Sequence, residues 1–332
     1  MDKNSKLRPL YIAKILYELT DEDHCLTTPE IISILESEYG ITGYRTTIAA
    51  DIELLTEFGM DIEVIKSSSN MYHMVSRLFD QPELKLLIDA VGASKFITCK
   101  KSRELTQKLS SLASRKHSDT LLSHVHIDGR VKPENESAYY IVDAINEAIL
   151  KKKKISFQYS RTTLGKTRQL RFNGMHYVFS PFDLVWHGDY YYMIGVLDKH
   201  TDISCFRVDR ISKQPNILEQ DSSPIPDEYD PNEVIYKSFR MYSGHTETVE
   251  LVCDNTLVDA IIDRFGKNVD IIPYDDGTFG VKVNLAANHV FFSWIFGFGG
   301  KVSIKAPEGV RNDYREMVKK EYTKLFEKHS DG

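Results

Sequence analysis

Hydrophobic side chains recur at helical spacing near the N-terminus. Between 7 and 19 they follow one another at mixed intervals of three and four positions, which predicts an amphipathic helix. A second helix is expected to begin at Thr27-Thr28-Pro29, where a hydroxyl cap precedes a proline, and to end near Gly40. A third is expected from about 44 to 58. Two helices, a glycine-containing turn and a third helix are typical of a helix-turn-helix.

The pattern changes to strand-like alternation after Gly59. Segments 61–65 and 71–75 alternate around the polar segment 66–70, which predicts a β-hairpin. A hairpin in this position corresponds to the wing of a winged helix-turn-helix. We therefore expect a DNA-binding domain over 1–78.

Helical spacing returns in the next part of the chain. Segments 83–99 and 101–113 predict two helices that end at 114–118, and 137–150 predicts another. These helices form a predicted helical linker region over 79–150.

Aromatic and aliphatic runs then indicate a sheet. The runs 184–187 and 190–197 are separated by His-Gly-Asp, which is typical of a tight hairpin, and 203–208 predicts a third strand. A domain built on this sheet is expected over 151–218.

Alternation along the third strand separates its side chains into two sets. Phe206 and Val208 should point to one face, and Cys205, Arg207 and Asp209 to the other. A hydrophobic core would bury the first set. The second set would remain available for chemistry.

An acidic, proline-rich stretch follows and predicts a linker between domains, assigned to 219–244. Beyond it, 245–332 is expected to form one α+β domain. Its predicted order is β-α-β-β-α-β with a final helix, at 246–253, 255–265, 269–273, 278–284, 286–296, 301–305 and 308–328. This order is typical of a ferredoxin-like split βαβ unit.

Charge is distributed unevenly along the chain. The net charge of −6 argues against general binding to nucleic acid. Residues 1–80 carry 7 basic and 14 acidic side chains, a balance of −7, whereas 151–211 carry 11 basic and 5 acidic, a balance of +6. The basic excess directs the search for an anionic partner to 151–211.

Four sequence pieces in 155–211 resemble the WYL domain, a small Sm-like β-barrel module of bacterial transcription factors. Tyr191-Tyr192-Met193 stands where the family has Trp-Tyr-Leu. The other three pieces are Tyr-Val-Phe-Ser-Pro at 177–181, Met-Ile-Gly at 193–195 and Phe-Arg-Val-Asp-Arg-Ile at 206–211. Together and in this order they are specific, although each alone would be weak.

The resemblance extends to both sides of this domain. Thr47-Ile48 and Asp51-Ile52 are similar to the core of the winged helix-turn-helix that precedes WYL domains, and 245–332 resembles the extension that follows them. The implied fold class is α+β multidomain: a winged helix-turn-helix, a helical linker, an Sm-like barrel and a ferredoxin-like domain.

The resemblance implies a transcription regulator that binds an operator in double-stranded DNA. We expect it to be cytoplasmic, since no long apolar run is present, and homodimeric. Its C-terminal domain would mediate dimer contacts. Arg45 is the only cation on the predicted recognition helix, so one copy should bind weakly. The candidate DNA-binding residues are Thr28, Tyr44, Arg45, Thr46, Thr47, Lys66 and Asn70.

The WYL domain would bind an anionic effector, such as a nucleotide or single-stranded nucleic acid. Arginines hold phosphate through rigid forks and tyrosines supply stacking surfaces. The candidate effector-binding residues are Tyr159, Ser180, Trp186, Tyr191, Arg207 and Arg210. Alternatively, the two arginines form structural ion pairs with Asp183, Asp202 or Asp209.

A different class of function also fits the sequence. The chain could be an accessory protein that binds single-stranded nucleic acid or a partner enzyme through its WYL domain. No catalytic motif is evident, so we expect no enzyme activity and no cofactor. No apolar run approaches twenty residues, so we expect no membrane span. We also expect no metal site, although His124-x-His126 pairs two imidazoles. Gly297-Phe-Gly-Gly300 lies between a helix and a strand and predicts a tight turn.

Overall fold

A computed structural model describes residues 3–123, 125, 127, 132–133, 136–232, 234 and 246–326, and for 3–5 and 246 it describes the backbone alone. His124 and His126 lie outside these residues. The chain divides into two compact units, Met1–Glu136 and Ser137–Gly332. Among the described residues, no helix is both long and apolar enough to cross a membrane.

The first unit begins with the predicted three helices and hairpin. A short strand, which the sequence did not predict, lies between the first two helices. The elements are α1 (Lys3–Leu19), β1 (Leu26–Thr27), α2 (Thr28–Tyr39), α3 (Arg45–Glu57), β2 (Ile62–Ile65) and β3 (Met71–Met74). The strands form an antiparallel sheet in the order β1-β3-β2.

Local sequence determines where α2 begins and ends. The Thr27 hydroxyl accepts a hydrogen bond from the Glu30 N–H, and the Glu30 carboxylate accepts one from the Thr27 N–H, which satisfies two otherwise unpaired donors. Gly40 ends the helix with a φ of 64°, a left-handed conformation that glycine adopts at little cost. The predicted cap and stop are confirmed.

Packing joins α1 to α3 through apolar and ionic contacts. Ile12, Leu16 and Ile48 are completely buried in one cluster. Beside them, Arg8 pairs with Asp51 of α3, with Nε–Oδ2 and Nη2–Oδ1 distances of 2.5 and 3.3 Å. This partly buried ion pair therefore helps to hold α3 against α1.

The following helices differ in part from the prediction. They are α4 (Gln81–Ala93), α5 (Cys99–Ser110) and α6 (Arg115–Ser123). The prediction of one helix over 83–99 was wrong, because the helix ends at Ala93. The segment 114–118, predicted as a helix end, instead begins α6, and the Ser114 hydroxyl accepts from the His117 N–H at 3.2 Å.

Helix α7 (Ala138–Leu150) lies in the second unit. Its apolar side, including Ile141 and Ile145, is completely buried, and the helix packs on the strands Lys153–Gln158 and His176–His187 of the following sheet. The sequence prediction placed it in the linker region instead, since its periodicity does not reveal which neighbour covers it.

The described residues 153–221, which follow α7, contain seven strands. They are β4 (Lys153–Gln158), β5 (Ser160–Thr162), β6 (Arg168–Leu170), β7 (His176–His187), β8 (Tyr190–Leu197), β9 (Ile203–Arg207) and β10 (Asn216–Asp221). Five form an antiparallel sheet in the order β10-β4-β7-β8-β9, and β5 and β6 form a separate hairpin.

This five-stranded sheet is open among the described residues, so the predicted closed barrel is not confirmed. A single bridge between Tyr159 and Ile211 connects the end of β4 to the segment after β9. Strand β10 also corrects the predicted linker, because 219–221 belong to an edge strand paired with β4.

The C-terminal sheet has the predicted split order. Its elements are β11 (Thr246–Asp254), α8 (Val258–Phe265), β12 (Ile271–Pro273), β13 (Thr278–Ala286), α9 (His289–Phe296), β14 (Val302–Ala306) and α10 (Glu308–Phe326). The strand order is β12-β13-β11-β14 with every neighbouring pair antiparallel, as in a ferredoxin-like unit.

Candidate functional site

The register of β8 and β9 decides which tyrosines lie beside Arg207. Tyr192 is directly opposite Arg207, so both side chains belong to the same face of the sheet. Tyr190, two residues earlier on β8, shares that face because side chains alternate along a strand. The Arg207 guanidinium lies over the Tyr190 ring, 3.5 Å from its centroid.

Asp209 holds the same guanidinium through two hydrogen bonds. The Nε–Oδ1 and Nη2–Oδ2 distances are 3.0 and 2.9 Å, the fork geometry that arginine favours with a carboxylate. Burial opposes the charge on Arg207, but the contact with Asp209 outweighs it and raises the arginine's pKa. Arg207 is therefore a fixed positive charge, and two of its guanidinium N–H groups already donate to Asp209.

Tyr159 connects this pair to the aromatic core. Its hydroxyl accepts a hydrogen bond from the Arg207 N–H at 3.1 Å. Its ring makes an edge contact with Phe206, with centroids 5.2 Å apart. Burial raises the pKa of the Tyr159 phenol, so the group stays neutral near pH 7 and fixes the backbone at Arg207.

Three more arginines belong to this end of the sheet. Arg168 donates to the Asp209 carbonyl at 2.6 Å, and Arg171 lies 6.0 Å from the centroid of the Tyr159 ring. Arg210 is exposed, while its carbonyl accepts from Ser160 at 2.9 Å. We refer to Arg168, Arg171, Arg207 and Arg210 as the arginine cluster.

Arg168 and Arg171 were missed by the residue-level sequence prediction. The basic excess of 151–211 was the available signal, but it did not distinguish these two from the lysines before β4. Only the β5–β6 hairpin, whose register pairs Thr162 with Arg168, places them beside Asp209 and Tyr159.

The other predicted effector residues are not brought to the arginine cluster. Ser180 is completely buried. Its hydroxyl donates to the Ser223 hydroxyl at 3.1 Å and accepts from the Ser223 N–H at 3.0 Å. Trp186 and Tyr191 are paired across β7 and β8, with an edge contact of 4.7 Å between centroids. Strand alternation puts Tyr191 on the opposite face from Arg207.

The face predicted to be free for chemistry is partly covered. Ile194 is completely buried there, and Cys205, Tyr229 and Val234 pack against the same cluster. Burial raises the pKa of the Cys205 thiol to about 11, so it stays protonated near neutral pH. The packing around Ile194 therefore covers part of this face, while Arg210 remains exposed where the arginine cluster lies.

The predicted DNA-reading residues at the start of α3 are at the surface. Tyr44 is 68% exposed, and Arg45 and Thr46 are also exposed. Thr47 is half-buried, and its hydroxyl donates to the Tyr44 carbonyl at 2.8 Å and accepts from the Tyr44 N–H at 3.0 Å. Thr47 thus shapes the start of the helix, while the other three remain accessible.

The remaining predicted DNA-binding residues, Thr28, Lys66 and Asn70, lie away from the start of α3. Lys66 is exposed after β2. Thr28 is buried, and its N–H and hydroxyl donate to the Asn70 carbonyl at 3.1 and 3.5 Å. Thr28 and Asn70 therefore join the start of α2 to the hairpin, a contact that local sequence patterns do not reveal.

Fold and site together define a multidomain α+β protein in which a central antiparallel sheet carries an arginine cluster. The model of the WYL domain matches residues 140–214, and the model of the WCX domain matches residues 245–320. The chain therefore contains a WYL domain and a WCX domain. The WYL match begins inside α7, in agreement with the packing of that helix on the sheet.

Several solved structures are similar to the chain, among them the following two. Proteasome accessory factor B/C (PafBC) of Arthrobacter aurescens is 16% identical, with a TM-score of 0.29 over 92% of this chain, which spans 45% of the PafBC chain. A CRISPR Cas-related protein is 14% identical, with a TM-score of 0.38 over 100% of this chain and 94% of that one. No match was found among the curated proteins.

Proposed function

We propose that this protein is a DNA-binding transcription regulator controlled by an anionic effector. The observation that carries the proposal is the arginine cluster on a sheet of the WYL family. The helical N-terminal unit would bind the operator, and the WYL sheet would bind a nucleotide or single-stranded nucleic acid.

Contacts at the arginine cluster support an anionic ligand. Asp209 neutralises only one of four guanidinium groups, and Arg210 is exposed beside it. Guanidinium groups bind phosphate oxygens in pairs, and Tyr190 and Tyr192 on the same face as Arg207 supply aromatic rings of the kind on which bases stack. A phosphate with an attached base would use both properties.

The N-terminal unit supports the DNA-binding part of the proposal. Its first three helices and the hairpin after them follow the order of a winged helix-turn-helix, in which the third helix enters the major groove. Tyr44, Arg45 and Thr46 are exposed where α3 begins, and Lys66 is exposed on the hairpin. With one cation on α3, tight binding would require two copies on paired half-sites.

Selection of bound fragments from the source genome, followed by footprinting, tests the DNA-binding part. We expect paired protected half-sites. Arg45→Ala and Tyr44→Ala should weaken binding to the selected sequence, by about 1–3 kcal/mol for a lost base contact. Lys66→Ala should cost less and affect all sequences equally. No duplex protection, together with tight binding of single strands, would favour the accessory-protein alternative.

Titration with short single-stranded oligonucleotides and nucleotides tests the effector part. Arg210→Ala should weaken their binding roughly tenfold to a hundredfold, the loss expected for one charge-assisted hydrogen bond. Lys199→Ala removes an exposed charge from the same domain and serves as the control. Equal affinities for wild type and Arg210→Ala would contradict the assignment.

A further inference from the structure

Three side chains from distant parts of the first unit converge beside the turn that follows α1. Asp21 and His24 belong to this turn, and His117 belongs to α6. One potential ligand atom from each lies within 4.8 Å of the others. Two imidazoles and a carboxylate are the donor set that proteins use for zinc and similar divalent ions.

The distances between these atoms suit a shared ion. Asp21 Oδ1 is 2.6 Å from His24 Nδ1, and Asp21 Oδ2 is 3.8 Å from His117 Nδ1. Ligand atoms around tetrahedral zinc lie about 3.3 Å apart, given metal–ligand bonds of roughly 2.0–2.2 Å. Small side-chain rotations would therefore suffice to bring all three atoms to one ion, with His24 exchanging its hydrogen bond to Asp21 for the metal.

Asp21 has the supporting contacts that a metal ligand requires. It is 3% exposed, and its Oδ2 accepts a hydrogen bond of 2.5 Å from the Ser114 hydroxyl. Its Oδ1 accepts from the Asp23 N–H at 3.0 Å. Such contacts fix the orientation of a ligating carboxylate.

An outer partner for His117 and a route of access are also present. The Asp23 carboxylate, 75% exposed, lies 3.8 Å from Nε2 of His117. A cavity of about 370 Å³ is lined by Asp21, Glu22 and His117 among others. Asp23 faces the ring nitrogen that would not bind the ion, so it would orient His117 as an outer partner. An ion could reach the three side chains from the cavity and complete its coordination with water.

We propose that Asp21, His24 and His117 bind one divalent transition-metal ion of the zinc class, and that the ion fastens the turn after α1 to α6. Asp21 and His117 are 96 positions apart in the numbering, so a shared ion would close a long loop of chain. The ion would hold the helix-turn-helix elements against the helical region that follows them.

Zinc titration of the full-length, untagged, metal-stripped protein against a chromophoric chelator tests the site. Wild type should bind one zinc per chain. His24→Gln and His117→Gln should each lower the affinity at least about tenfold, since even the loss of an outer contact has that effect. Both histidines are partly exposed, and circular dichroism of the metal-free variants would show that they fold.

Two controls separate this site from other histidines. His200→Gln removes an exposed imidazole in the second unit and should leave zinc binding unchanged. Cys25→Ser removes a thiol that lies 3.5 Å from His73 and should also leave it unchanged. Absence of zinc binding by wild type, wild-type affinity in both Gln variants, or loss of binding in Cys25→Ser would overturn the assignment.

A melting curve tests the fastening role. Zinc should raise the melting temperature of wild type, because a ligand that binds only the folded state stabilises it. The increase should disappear in His117→Gln. Zinc binding without any increase in melting temperature would contradict the proposal that the ion joins the turn to α6.

Discussion

Arg207 and Arg210 are three positions apart, but they differ in exposure. Arg207 contributes to the stability of the fold, whereas Arg210 is available for binding. The Arg207 side chain is 22% exposed and that of Asp209 is 14% exposed, so their ion pair is largely shielded from water. Arg210 is exposed. Loss of Arg207 would leave the Asp209 carboxylate without its bidentate partner, whereas loss of Arg210 would leave the core unchanged.

We therefore predict that Arg207→Ala lowers the free energy of unfolding by about 1–3 kcal/mol, between the values for exposed and fully buried pairs. Arg210→Ala should change it by less than about 0.5 kcal/mol, as is usual at the surface. Urea denaturation followed by circular dichroism measures both. Equal free energies of unfolding for wild type and Arg207→Ala would show that Asp209 is well solvated without Arg207.

The difference between Arg207 and Arg210 also decides which of the two is suited to binding experiments. A weaker ligand affinity in Arg207→Ala would combine a lost ligand contact with a disturbed fold, because the Arg207 side chain also holds the Asp209 carboxylate. Arg210 is the better probe of an anionic ligand. Arg207→Lys would keep the charge but lose the bidentate geometry.

At the scale of elements, the pairing of β7 with β8 depends on Gly195. A Cβ at this position would lie 2.0 Å from the Ser180 carbonyl oxygen and 2.8 Å from the Phe179 ring. The backbone atom cannot move without displacing β7, where the register shifts between Pro181 and Asp183. Close approach of two strands, rather than an unusual φ, explains the glycine.

Gly195→Ala should consequently destabilise the second unit by about 3 kcal/mol or more, the upper part of the range for overpacking. Gly188→Ala is the matched control in the β7–β8 turn. Its Cβ would have no neighbour within 4 Å, and its φ of 59° should cost about 1–2 kcal/mol. Thermal and urea denaturation would compare them, and a smaller loss for Gly195→Ala would refute the argument.

At the scale of the whole molecule, the two units have separate hydrophobic cores. The first is centred on residues such as Ile12, Leu35 and Ile48. In the second, the C-terminal sheet buries Leu251, Val281 and Phe291 under its helices. Each unit can thus bury apolar surface without the other.

We predict that 1–136 and 137–332 fold as separate polypeptides. Each should show a cooperative melting transition, because each retains its own core. Circular dichroism during heating measures both transitions. A fragment 137–332 without cooperative unfolding would show that the second unit needs the first.

Sequence patterns determined most of the elements because their signals are local. The Thr27 cap, the Gly40 stop, the hairpin at Gly188 and the split order of the C-terminal sheet are all contained in short segments or in their order. Helix α6 was missed because a short polar helix has little periodicity. The edge strand β10 was missed because its polar residues and following prolines are typical of a linker.

Tertiary structure decided which side chains meet. Sequence similarity directed attention to Tyr191 and Ser180, but strand register places Tyr190 and Tyr192 beside Arg207. A shift of one position in register exchanges the two faces of a strand, and only packing of the whole sheet selects between them. His117 reaches Asp21 for a related reason: contacts between distant segments depend on how helices pack, which local periodicity does not specify.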